Sequence, residues 1–175
     1  MFRSALSGPS RMSTESNFFS SRDNAMNEKL VGILNEAIDD EYKARAMYRK
    51  VIERFGEVRP FIHIVEAESR HIQALLPLFE KYDVPVPPDD WESRVPAPAS
   101  LLEACQAGVE AEIENKEMYA RLLAQSAEFP DVQAVLRALQ RASEENHLPA
   151  FRRCVERERM PGRGRGGRHQ DPGGR

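Results

Sequence analysis

From Leu30 to Phe55 the apolar positions fall three and four apart, at Leu30, Leu34, Ala37, Ala44, Tyr48, Val51 and Phe55. That is the period of a helix with one buried face, whereas a half-buried strand alternates with period two. The same spacing recurs at Phe61, Ile64, Leu75, Leu78 and Tyr82, and again at Leu102, Cys105, Val109, Tyr119 and Leu122. A fourth, less regular stripe reads Val132, Leu136, Leu139, Ser143, Ala150 and Cys154. The pattern predicts four amphipathic helices and an all-α fold. Their ends are marked as well. Gly56 stops the first helix, and Pro60 stands where a first-turn proline opens the second. Ser100 with Glu103 forms a capping box for the third, which runs to about Gln125, and Asp131 behind Pro130 starts the fourth. Pro77 and Pro149 fall inside helices, where each removes a ladder hydrogen bond and predicts a kink or local break.

The connections predict the topology. Short links at Gly56–Arg59 and Glu128–Pro130 make each helix pair an antiparallel hairpin. The proline-rich stretch from Asp83 to Ala99 is different: extended, it reaches about 55 Å, against about 33 Å for a helix of about 22 residues. It is long enough to cross the whole length of a bundle, with Trp91 as its anchor. The two hairpins also read as copies. IDDEYKARAMY (38–48) matches VEAEIENKEMY (109–119), and ESRHIQAL (68–75) matches EENHLPAF (144–151), as an internal pseudo-twofold predicts.

Six residues break the apolar stripes or flank them: Glu41, Glu68, His71, Glu112, Glu144 and His147. Ionised carboxylates are almost never buried unpaired, and four facing one core repel each other. Two divalent cations supply the compensating charge. Glu-x-x-His places a carboxylate and an imidazole on one helix face, so Glu68 with His71 and Glu144 with His147 can each serve one ion. Glu41 and Glu112, one from each remaining helix, are then expected to bridge. Oxygen and imidazole donors without thiolates suit iron or manganese rather than zinc. A lone Glu-x-x-His is as well explained by a solvated helix face; two copies in repeat register with two further stripe glutamates are not. Glu110, Glu114 and Glu117 crowd Glu112, and a helix irregularity there would bring Glu114 inward; Glu112 is preferred because Glu112 to Tyr119 repeats Glu41 to Tyr48. Asp39, Asp40 and His63 fall off the stripes and His169 lies near the end, so all four are read as structural or solvated.

The segments EYKARAMY, EAESRHIQALLPLFEKY, GVEAEIENKEMY and ASEENHLPAFRRC, within roughly residues 28–158, resemble a family of uncharacterised ferritin-like proteins related to rubrerythrins and ferritins. The resemblance implies a ferritin-like antiparallel four-helix bundle of two hairpins and a di-iron carboxylate site with the six residues above. It also implies that Tyr48 and Tyr119 each hydrogen-bond the opposite hairpin's glutamate. The implied activity is oxidation of Fe(II) by O2 or peroxide, or reduction of peroxide. A rubrerythrin would add a four-cysteine iron domain and a further helix-three carboxylate. Here there are two cysteines, and Asn115 stands three residues after Glu112, so a peroxidase would need a separate electron donor. A di-manganese catalase with the same ligands and a non-catalytic bundle are the alternatives.

Composition narrows the rest. A net charge of −3 offers no basic field for phosphate contacts, which argues against nucleic acid. Charged residues interrupt every apolar run before the roughly 20 residues a membrane span needs. A soluble, cytoplasmic protein is the expectation, with organelle import by the Ser- and Arg-rich start as the alternative and homo-oligomerisation open. Residues 1–23 are expected to be a disordered leader, 24–159 the helical domain and 160–175 a disordered Gly/Arg-rich tail. Cys105 lies seven residues before Glu112 and Cys154 seven after His147, so antiparallel helices bring the two thiols to one end. Packing as small apolar groups is the expectation there, with a redox-active disulfide as the alternative if the Cα atoms come within about 7 Å.

Overall fold

The computed structural model describes the backbone of residues 13–160 and the side chains of residues 25–160. In chain order come α1 (Ser13–Phe55), α2 (Phe61–Lys81), a single 3-10 turn at Trp91–Ser93, α3 (Leu101–Gln125), α4 (Pro130–Ala142), a π-helical turn at Ser143–His147, and α5 (Leu148–Arg159). No strand occurs among the described residues, so the fold is all-α as the stripes predict. α1 begins inside the stretch assigned to a leader. No glycine or proline lies between Ser13 and Leu30 to stop it, and among the side chains described, from residue 25 on, the buried face starts at Leu30. Residues 1–12 and most of the expected tail, 161–175, lie outside the described residues.

Local chemistry sets the ends. Gly56 terminates α1 with φ +81°, a left-handed conformation that suits glycine. Pro60, after a cis peptide bond, caps α2 rather than entering its first turn. The Ser100 hydroxyl accepts the Glu103 N–H at 3.1 Å, and the Glu103 carboxylate reaches back to the Ala99 N–H at 3.0 Å, one residue earlier than in the usual capping box. The fourth stripe is not one α-helix. Its hydrogen-bond ladder widens to i→i+5 at Ser143–His147, just ahead of Pro149, which has no N–H to give.

Pairs along the helices show how they run. Tyr48 meets Phe61 while Glu41 meets His71, so α1 and α2 are antiparallel. Cys105 joins Cys154 while Glu112 meets Ser143, so α3 and α5 are antiparallel too. The connection from α2 to α3 lies on α1: the Trp91 Nε1–H donates to Asp39 at 2.7 Å, and Arg45 pairs with Asp89 at 2.5 Å. Trp91 is thus the anchor expected of it, with the Arg94 guanidinium stacked 3.8 Å from its ring centre.

Cys105 and Cys154 form a disulfide with Cα atoms 5.7 Å apart, where plain packing was expected. The close approach of α3 and α5 makes it reachable. One turn away, Gly108 lies so near the Phe151 ring that an added Cβ would sit 2.6 Å from it. Two apolar clusters fill the interior. One runs from Leu30 to Tyr42 on α1, across Ile72–Phe79 and Tyr119–Leu139; the other gathers Tyr48, Val51, Phe61, Ile64, Cys105, Phe151 and Cys154. Between them lies a polar layer.

Candidate metal centre

That layer holds Glu41, Glu68, Glu112 and His147, all 5% exposed or less, with His71 at its edge. The helical period delivers them: each occupies a core position on its own helix, between the turns that build the two apolar clusters. His71 Nδ1 lies 2.9 Å from Glu68 Oε2 and 3.1 Å from Glu41 Oε2. His147 Nδ1 lies 3.3 Å from Glu68 Oε1 and 3.5 Å from Glu112 Oε1, and the two imidazoles stack at 5.5 Å. Ligand atoms of Glu68, His71 and His147 all fall within 4.8 Å of one another. Glu68, rather than Glu41 or Glu112, is therefore the carboxylate lying between the two imidazoles.

Two tyrosines cross the layer in opposite senses. The Tyr119 hydroxyl donates to Glu41 Oε1 at 2.5 Å, and the Tyr48 hydroxyl donates to Glu112 Oε1 at 3.2 Å. Each hairpin thus holds the other's glutamate, as the repeat relates them. Burial first, then the neighbouring carboxylates, raise both phenols well above their ordinary value, so they remain donors.

In the metal-free protein the surroundings of His71 and Glu68 favour their protonated forms. Burial lowers the His71 imidazolium's pKa, yet hydrogen bonds and charge from Glu41 and Glu68 outweigh it and lift the value to about 10. Burial, with the Glu41 charge added, pushes Glu68 well above the carboxylate range. Glu41 is also raised by burial, but His71, Glu68 and Tyr119 as donors bring it below its ordinary value. No lysine or arginine pairs with Glu41, Glu68 or Glu112 among the described residues.

Three placements differ from the sequence reading. Glu144 does not join the cluster: it is half-buried, its Oε2 3.6 Å from Lys116 Nζ. The π-turn is the cause, because a wider turn no longer superposes residues three apart. Ser143 takes the inward position instead, buried, with its hydroxyl donating to Glu112 Oε2 at 2.5 Å. Its place on the stripe was visible in sequence, its role was not. Asp40, read as structural or solvated, borders the site, bonded to Asn115 and raised to about 7 by burial and the Glu41 charge. Glu114 is exposed at the cavity's rim while Glu112 is buried, which leaves Glu112 as the α3 carboxylate among the buried donors.

The donors surround a cavity of about 20 Å³, room for about one water-sized guest. No helix among the described residues is long and apolar enough to cross a membrane. No family model and no curated protein matches the chain. In overall fold it is similar to the crystal structure of hypothetical protein MJ0754 from Methanococcus jannaschii DSM 2661, with a TM-score of 0.66 and 21% identity over 90% of this chain and 88% of that one.

Proposed function

We propose that the chain is a ferritin-like four-helix protein related to rubrerythrins and ferritins, binding two iron ions and oxidising Fe(II) with O2 or peroxide, or reducing peroxide. The observation that carries this reading is the convergence of Glu41, Glu68, Glu112, His71 and His147 in one layer, with no lysine or arginine paired to the three glutamates among the described residues. Such a donor set fits a pair of divalent cations: oxygen and nitrogen ligands without sulfur, and a negative charge that two cations neutralise. The antiparallel pairing of the helices and the crossover along α1 support the bundle topology.

When bound, iron would supply one-electron chemistry toward O2 or peroxide. The residues do the rest. Glu41, Glu68 and His71 would hold one ion and Glu112 and His147 the other. Tyr119 and Tyr48 orient Glu41 and Glu112 through hydrogen bonds, which fixes where their free lone pairs point. The apolar clusters on both sides exclude water and keep the electrostatics strong. Electrons for peroxide reduction would come from a separate protein.

Metal analysis with an absorption spectrum tests the reading. Protein purified from iron-supplemented cells should carry close to two iron ions per chain, and His71→Ala one or none. Fe(II) added without oxygen and then exposed to O2 or peroxide should be oxidised faster by the wild type than by Glu68→Ala. Equal rates would remove the oxidase assignment. Manganese in place of iron, with peroxide disproportionation in the absence of reductant, would move the assignment to a catalase.

A further inference from the structure

The two halves of the centre are copies in sequence but not in shape. On α2, Glu68 and His71 sit three apart on unbroken α-helix and share a face, 2.9 Å from each other. In the second copy the π-turn rotates Glu144 away from His147, leaves its carboxylate one-third exposed, and sets it against Lys116. Lys116 stands one turn beyond Glu112 on α3, beside the same half of the layer. The inward position is taken by Ser143, whose partner in the first copy is Ala67. One half therefore has its carboxylates and imidazole assembled before any ion arrives. The other has Glu112 and His147 in place and its third donor engaged elsewhere.

We propose that Lys116 competes with the second cation for Glu144, so that the centre fills in order, the Glu41–Glu68–His71 side first and the Glu112–His147 side second. The inference rests on the metal reading above. An ammonium on a partly exposed carboxylate is a weak partner, so it delays the second ion without preventing it. Lys116 is then a positioning residue that sets the spacing between two affinities and touches neither ion.

Anaerobic titration of the metal-free full chain with Co(II), followed by visible absorption and by calorimetry, reads each step separately. The wild type should bind two ions in two resolved steps. Lys116→Met should tighten the second step about two- to fivefold, the worth of one exposed ion pair, and leave the first unchanged, while Lys116→Arg should behave as the wild type. Glu144→Gln should weaken the second step and remove the benefit of Lys116→Met. Two ions bound in one unresolved step would overturn the ordered filling. Tightening of both steps, or tightening that persists beside Glu144→Gln, would mark a general charge effect and overturn the role of Lys116. Absence of any cobalt binding would overturn the metal reading itself, an outcome distinct from the others.

Discussion

Glu112 shows how much of this layer depends on single donors. Its Oε1 accepts from Tyr48 at 3.2 Å and its Oε2 from Ser143 at 2.5 Å, the latter in the range of a charge-assisted O–H···O⁻ bond. Ser143→Ala should cost the metal-free protein about 1.5–3 kcal/mol, since a buried carboxylate oxygen loses its donor. In the metal-loaded protein the loss should be smaller, because an ion can satisfy the same carboxylate. Urea melts of both forms measure this; an equal loss in the two would mean that Ser143 acts only through packing. Tyr119→Phe removes the 2.5 Å donor from Glu41 and belongs to the same class. Five of the six residues singled out in the sequence converge in this layer, where a charge on an apolar stripe is a costly anomaly that sequence alone reveals. Glu144 was misplaced for a physical reason: Glu-x-x-His implies a shared face only while the helix keeps its α period. The irregular fourth stripe and Pro149 were the signals of a break, but neither says which residue turns inward.

At the scale of elements, α3 and α5 are pinned by a disulfide and by a close glycine–ring contact. Gly108 admits the Phe151 ring, and Gly108→Ala should destabilise the protein by about 1–3 kcal/mol, because a Cβ 2.6–2.8 Å from that ring forces α3 and α5 apart. Gly32→Ala is the opposite case. That glycine is exposed inside α1 with nothing within 4 Å of an added Cβ, so helix propensity should stabilise by up to about 1 kcal/mol. Thermal melts of the two variants moving in the same direction would contradict the packing described. The disulfide adds a third test. Cys105 and Cys154 are 49 residues apart, and closing a loop of that length is worth about 4 kcal/mol in the chain-entropy account. Reduction should lower stability by that order while leaving the helix content nearly unchanged; an unaltered melt with both thiols shown to be free would refute it. The helical class, the first three stripes and the short turns between helices could be read from periodicity and turn residues, which are local; the break inside the fourth could not. The early start of α1 and the disulfide could not. The first depends on how far a polar stretch without breakers propagates a helix, and the second on the distance between two helices.

For the whole molecule the buried layer predicts how stability follows pH. In the metal-free protein the His71 value is raised to about 10 from an ordinary 6.5. The stability it contributes is therefore fully present below pH 6.5 and is lost as pH rises through 10. Asp40, raised from 3.8 to about 7 by burial and Glu41 against the pull of Asn115 and Lys43, and Glu68, raised by burial and Glu41, act in the same direction. Their carboxyl groups prefer to be neutral in the fold, so each loses stability as pH climbs past the point where the unfolded chain ionises. Within the layer Glu41 runs the other way, raised by burial but lowered further by His71, Glu68 and Tyr119, and outside it so do Asp131, lowered to about 2 by Lys81, and Glu36, lowered by Arg121; all three lose stability in acid. The sum is a metal-free protein most stable in mild acid and progressively weaker toward pH 9. On the proposed metal reading, bound cations should reverse the trend, because they would replace those protons and bind more tightly as the competing protons leave. The stabilisation gained on adding metal should therefore be small at pH 5 and grow steadily to pH 9. Denaturation of chelator-treated and metal-loaded protein at pH 5, 7 and 9 gives both curves. A metal-free protein that gains stability with pH, or a metal increment independent of pH, would show that this layer is not balanced by protons and does not exchange them for ions.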